Sequence, residues 1–309
     1  MNAALTTQAE PFTDSTDLLE APEALRERAA EDGYLFFKKF LPTEPVLELR
    51  RQMLDVLASH GWMREDAEDI ADLAAINRLG VDNETLSAMG VTNAVYRDIQ
   101  CLELFHQIPH DPKLISLYET LFEAEVLPHP RHIARVMVPT PKSAPTPPHQ
   151  DYIYIQGTHQ FWTLWFPLGD CPLELGGLSV LGGSHREEVL DVMPARGAGG
   201  KEAILCDMDY RWVQGDYACG DILTFPSHMV HCGLPNQRGQ KVRLSCDIRY
   251  QAADAEIEER SLAVHMGVAE WDDVYAEWKS DDLKYYWRKR ELAMSDWDNS
   301  LMEDKERLC

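Results

Sequence analysis

No stretch of this chain approaches the roughly 20 consecutive apolar residues that span a bilayer. Met1 to Phe12 have neither the basic start nor the apolar centre of a secretory signal. Cysteine forms no recognisable set: the seven, at 101, 171, 206, 219, 232, 246 and 309, are odd in number and contain no C-x-x-C pair. That argues against a disulfide framework and a structural zinc site, and for a reducing, cytoplasmic setting. Each cysteine is expected to act as a small buried hydrophobe. Basic residues are scarce, 29 Lys and Arg against 52 Asp and Glu, for a formal net charge of −23. Nucleic acids and anionic membranes reward clustered Lys and Arg, so neither is an expected partner. Internal repeats and low-complexity tracts are also missing.

The 309 residues are 45% hydrophobic and 9% aromatic, enough to bury a sizeable core. Residues 1–22 are polar and read as a loose arm. Residues 23–125 read as mainly helical. Ala24–Ala30 forms a helix that ends near Gly33, and Tyr34–Phe37 a short buried strand. Pro42–Leu57 and Lys113–Phe122 carry apolar residues at helical spacing, whereas Asp66–Met89 gives no clean pattern. From Val126 to Gln251 the texture changes to short apolar runs broken by Pro, Gly and Asn: Ile133–Val138, Phe161–Leu168, Leu178–Leu181, Ile222–Phe225 and Val242–Tyr250. Short strands at that spacing predict an all-β sandwich or barrel with helical decorations. Residues 252–309 become charged and helical again. Trp271, Tyr275, Trp278 and Leu283 recur at roughly helical intervals, a set expected to pack on the barrel or on a second subunit of a homo-oligomer. We read 1–309 as a single catalytic domain.

Chemistry first enters at His149-Gln150-Asp151. On an extended segment, residues i and i+2 face the same side. An imidazole and a carboxylate would then meet at one point with Gln150 turned away, as two-thirds of a 2-His-1-carboxylate triad. Alone this pattern is worthless, since His149 could equally cap a turn. Two further parts accompany it. His231 follows the apolar run Ile222–Phe225, and Arg243 and Ser245 share one face of the next strand. A hairpin from His231 to Arg243, turned by Pro235-Asn236 and Arg238-Gly239, would bring both to one barrel mouth. A guanidinium fork there can hold a carboxylate bidentately. His228 competes with His231 and reads better as a turn residue beside Pro226-Ser227; Arg243 could otherwise sit on a solvated sheet face. The combination is much rarer than any part, and it makes His149, Asp151 and His231 the metal candidates.

These residues resemble the phytanoyl-CoA dioxygenase family of iron(II)/2-oxoglutarate enzymes. The likeness is carried by Asp32-Gly33-Tyr34, His149-Gln150-Asp151, Thr163-Leu164-Trp165 and Gly176-Gly177-Leu178-Ser179-Val180-Leu181. It continues through Gly183-Ser184-His185, Gly220-Asp221, His231 with Pro235-Asn236, and Arg243-Leu244-Ser245, so it covers roughly residues 30–251. It implies a double-stranded β-helix, a jelly-roll variant. It implies iron(II) on His149, Asp151 and His231, 2-oxoglutarate on Arg243 and Ser245 with Trp165 lining its pocket, and O₂ as oxidant. His185 is not a ligand by this resemblance, and Pro226 stands where many relatives carry His. The implied reaction hydroxylates a small molecule and releases succinate and CO₂. Rival readings are a cupin-like metal isomerase, which needs no 2-oxoglutarate clamp, and a silent jelly-roll binding protein, for which a buried triad would be costly. Net charge and the aromatics Tyr152, Tyr154 and Trp165 lead us to expect a neutral or cationic substrate rather than a coenzyme A thioester. Arg135 could meet an acidic group but reads better as half of a salt bridge.

Overall fold

The computed structural model describes residues 9–78, 89–138, 144–206 and 208–307. Helix α1 (Pro22–Asp32) starts with proline at its first position, where the missing N–H costs nothing, and ends at Gly33 with φ 73°. A Cβ on Gly33 would lie 1.9 Å from Nδ1 of His185. The His185 ring also hydrogen-bonds to Ala30 O through Nε2, 3.0 Å, and Gly183 N donates to Asp32 O at 3.2 Å. The Asp32-Gly33-Tyr34 and Gly183-Ser184-His185 motifs are thus two halves of one contact, and His185 is structural. Helices α2 (Thr43–Ser59), α3 (Leu73–Arg78), α4 (Asn93–Gln100), α5 (Glu103–Gln107) and α6 (Pro112–Phe122) complete the helical third. The rest of Asp66–Met89, residues 79–88, lies outside the described residues.

Six strands form the larger sheet, in the order β1 (Leu35–Phe37), β9 (Ile222–Pro226), β4 (Trp162–Pro167), β11 (Arg243–Ala252) and β2 (Val126–Pro128), with β3 (Ile133–Met137) also pairing β11. The smaller sheet runs β10 (His231–Gly233), β5 (Leu178–Gly182), β8 (Arg211–Val213). Every pairing in the two sheets is antiparallel. The sheets face each other across Trp165, Leu223 and Phe225 on one side and Leu178, Val180 and Val213 on the other. This is the jelly-roll of the expected double-stranded β-helix.

Strand β11 shows why the sheet is two-faced. Leu244, Cys246, Ile248 and Tyr250 point outward into the core shared with α1, α2, α4 and α6. Arg243, Ser245, Asp247, Arg249 and Gln251 alternate with them and are equally buried. A period of two therefore sorts one strand into an apolar outer face and a polar inner one.

Three expectations need correction. Residues 9–22 are no loose arm: Phe12 stacks on Phe36 at 4.8 Å, and Glu10 bridges to Val213. The C-terminal stretch is only partly helical. It holds one five-residue helix, α7 (Trp271–Tyr275), short 3₁₀ turns, and the parallel pair β12 (Ile257–Glu258) and β13 (Met294–Ser295). Its aromatics pack on their own chain. Trp271, Tyr275, Trp278 and Trp287 cluster with Leu127 and Ile257, and the Trp278 indole donates to Cys101 O at 3.0 Å. Finally, Cys101, Cys171, Cys219, Cys232 and Cys246 are free, but Cys206 is disulfide-bonded. Among the described residues no helix is long and apolar enough to cross a membrane.

Candidate metal centre

His149 and His231 are held by one backbone exchange: each N–H donates to the other's carbonyl at 3.0 Å, an antiparallel bridge that extends the smaller sheet past β10. Their rings lie 4.2 Å apart. Nδ1 of His149 meets Pro147 O at 2.8 Å and Nδ1 of His231 meets Met229 O at 3.0 Å. Both carbonyls can only accept, so Nδ1 carries the proton in each ring and Nε2 is left as the ligand atom. Asp151 is not in a regular strand, as its i+2 spacing suggested; it opens a 3₁₀ turn, Asp151–Ile153. Gln150 between them is extended, φ −101° and ψ 138°, which keeps His149 and Asp151 on one side. The Gln150 side chain turns away and ties to Glu188 O, His228 O and Leu190 N.

The carboxylate Oδ1 of Asp151 stands 3.6 Å from His149 Nε2 and 3.8 Å from His231 Nε2. One ligand atom from each of the three residues falls within 4.8 Å of the others, and all three residues are buried. The donor set, two imidazoles and one carboxylate on one face, suits a non-haem iron(II) ion with open positions. His228 is elsewhere: its Nδ1 meets Glu187 O at 3.0 Å and its Nε2 meets His159 at 2.8 Å.

Two residues to which the sequence assigned no role at the metal, Thr163 and Arg249, fix the other carboxylate oxygen. Oδ2 of Asp151 accepts from Thr163 Oγ1 at 2.5 Å and from Arg249 Nη2 at 2.9 Å. Burial alone would raise the Asp151 carboxyl. The Arg249 guanidinium, followed by the two imidazoles, outweighs it and holds the group well below the usual carboxylate range. Oδ2 is thereby spoken for and Oδ1 left to face the histidines. Thr163→Val should weaken divalent metal binding by roughly 10–100-fold. Nickel(II) titration by calorimetry reads this directly, and an unchanged affinity would show that Arg249 suffices.

Arg243 reaches the same cavity as the triad. Its Nη1 donates to Ser245 Oγ, its guanidinium lies 5.9 Å over the Trp165 ring, and its buried Nε has no partner. An unpaired buried donor of this kind invites a carboxylate. The expected His231–Arg243 hairpin does not form, because β10 and β11 belong to opposite sheets. The connection crosses between them, and Asn236 clamps it by donating to Met137 O at 3.3 Å and Lys241 O at 2.7 Å. Both side chains reach one cavity because the sheets face each other. Arg135 is indeed half of an ion pair, with Asp247 at 2.9 Å.

Known proteins point the same way. The 1-deoxypentalenic acid 11-beta-hydroxylase of Streptomyces arenae is 27% identical over 267 residues, 79% of this chain and 86% of that relative. The non-heme monooxygenase ThoJ superposes with a TM-score of 0.53 at 17% identity, over 75% of this chain and 78% of its own. The epimerase SnoN in complex with Fe3+, alpha ketoglutarate and nogalamycin RO gives 0.51 at 21%, over 77% of this chain and 86% of its own. At such identities these two structures speak for the fold. The model of the phytanoyl-CoA dioxygenase (PhyH) family matches residues 29–244, and this chain belongs to that family of iron(II)- and 2-oxoglutarate-dependent oxygenases.

Proposed function

We propose that residues 1–309 act as one catalytic unit that hydroxylates a small molecule with release of succinate and CO₂. His149, Asp151 and His231 hold the iron. Arg243 and Ser245 take the far carboxylate of 2-oxoglutarate, with Trp165 against it. The observation that carries this reading is the convergence of the triad and the unsatisfied Arg243 donor on one buried cavity. When bound, iron and 2-oxoglutarate supply an O₂-derived oxidant for a substrate C–H bond. The chain's part is to orient and to exclude water. The His149–His231 bridge fixes two ligands, Thr163 and Arg249 fix the third, and the facing sheets bury the reacting centre.

Anaerobic loading with iron(II) and 2-oxoglutarate, then O₂, should yield succinate and CO₂ in equal amounts. Metal binding without succinate would favour a non-redox, cupin-like isomerase, and no metal binding a silent jelly-roll. Arg243→Lys keeps the charge but loses the fork, about 1.5–3 kcal/mol for a charged hydrogen bond, so the 2-oxoglutarate requirement should rise roughly 10–100-fold. An unchanged requirement would place the anchor elsewhere. The expected preference for a neutral or cationic substrate over a coenzyme A thioester rests on the charge of the whole chain and on three aromatics. Only Trp165 of these borders the cavity. Tyr152 stacks on His159 at 3.9 Å, and Tyr154 packs against His149.

A further inference from the structure

We propose that the substrate carries a single carboxylate or similar monoanionic group, received by Arg249, in place of the neutral or cationic substrate expected from net charge; this rests on the oxygenase reading above. Among the described residues the cavity is bordered by three guanidinium groups, Arg135, Arg243 and Arg249, and by two carboxylates, Asp151 and Asp247. The two ligand imidazoles are neutral, as metal ligation requires. Iron(II) and 2-oxoglutarate carry equal and opposite charge, so among the described residues loading both leaves the wall with one positive charge in excess. A buried charge without a counter-charge is unfavourable, and a monoanionic substrate supplies the counter-charge.

Arg249 is where that group would land. Its side chain is 3% exposed and its Nη2 is committed to Asp151. Nε and Nη1 are buried and hydrogen-bond to nothing. Arg243 is taken by the co-substrate, and Arg135 already faces Asp247. Among the described residues Asp151 is the one carboxylate paired with Arg249. Arg131 stands behind it with its own Nε unpartnered, and burial together with the nearby Arg249 charge lowers the Arg131 pKa to about 10. His129 and His265, further titratable neighbours, are both lowered chiefly by burial and offer no anion. The strongly acidic surface does not oppose this, because screening confines surface charge to about 8 Å at physiological salt.

The test is calorimetric titration of full-length protein loaded with nickel(II) and saturating 2-oxoglutarate. Three apolar-bodied acids, cyclohexanecarboxylate, decanoate and 4-tert-butylbenzoate, are compared with their amides and the corresponding amines. At least one acid should bind roughly tenfold or more tightly than its amide and amine, the worth of one charged hydrogen bond. Arg249→Gln at saturating metal should abolish the preference, and Arg249→Lys should keep much of it. Equal or absent binding of all three acids would overturn the proposal. So would acids that displace 2-oxoglutarate rather than add to it, since Arg249 would then serve the co-substrate. Succinate release without any substrate tests the oxygenase reading separately: its absence, with the acid preference intact, counts against that reading and not this one.

Discussion

His149→Ala, Asp151→Ala and His231→Ala should each lose most affinity for iron(II) and all succinate release, while His228→Ala keeps both. The contrast is sharp because the two later histidines are three residues apart yet differently committed. The imidazole of His231 is buried, tied through Nδ1 to Met229 O, and directs Nε2 toward Asp151. Both ring nitrogens of His228 already have partners, Glu187 O and His159, away from the triad. Removing one of three ligands leaves the remaining pair without the facial geometry that holds the metal. Circular dichroism should confirm that each variant is folded, and metal content and succinate should be read on the same samples. Full activity in His231→Ala, or a folded but inactive His228→Ala, would reassign the third ligand.

Acid should destabilise this protein well above the range in which carboxylates protonate. Burial is the main cause that lowers His106 and His110 to about 4 and His129 to about 3. His132 and His265 are also lowered well below the ordinary histidine value, again chiefly by burial. His106 packs against His132 at 4.9 Å and against Trp278 at 5.1 Å. In the unfolded chain each of these histidines protonates near the ordinary histidine value of about 6.5. Below that pH the unfolded state binds more protons than the folded one, so stability falls as pH drops. It is fully present above about 6.5 and declines down to the folded pKa. Each such group contributes about 1.4 kcal/mol per pH unit in this window, so His106, His110 and His129 together give about 4. Urea unfolding between about pH 7 and about pH 5 should show that slope. His132→Phe tests the cause. Neither ring nitrogen of His132 makes a hydrogen bond, so the variant should hold its stability at neutral pH and flatten the acid slope by about 1.4 kcal/mol per unit. A slope under about 1 kcal/mol per unit in the parent protein would sink the argument.

The strands and long helices were legible because their apolar periods are long and their stops are chemical. Gly33 ends α1, and the runs from Ile133, Phe161, Leu178, Ile222 and Val242 each became a strand within two residues of their expected limits. The triad was legible for a similar reason: only an extended Gln150 is needed to align His149 and Asp151, and the sequence spacing already says so. What escaped was pairing across sheets. Nothing in the 11 residues between His231 and Arg243 reveals that the chain changes sheet there, because the device is one side chain, Asn236, tying the nearby Lys241 O to the distant Met137 O. Thr163 and Arg249 escaped because they act on a ligand from other strands, at separations of 12 and 98 residues. One signal for them existed. Polar residues at every second position from Arg243 to Gln251, inside an otherwise apolar run, mark a buried face that must answer to something.

That same strand restricts how this enzyme can acquire new substrates. On β11 the outward residues belong to the main core while Arg243, Asp247 and Arg249 of the inward set border the cavity, so a one-residue insertion would swap the two faces and lose stability and chemistry together. Variation is tolerated better where the cavity is bordered by residues outside the sheets, at Ala144 and Thr146, and at Ala198 in the turn between β6 (Val192–Pro194) and β7 (Lys201–Ala203). Natural or laboratory lineages that change specificity should therefore accumulate their substitutions in these short segments and leave the five-residue polar stripe of β11 intact.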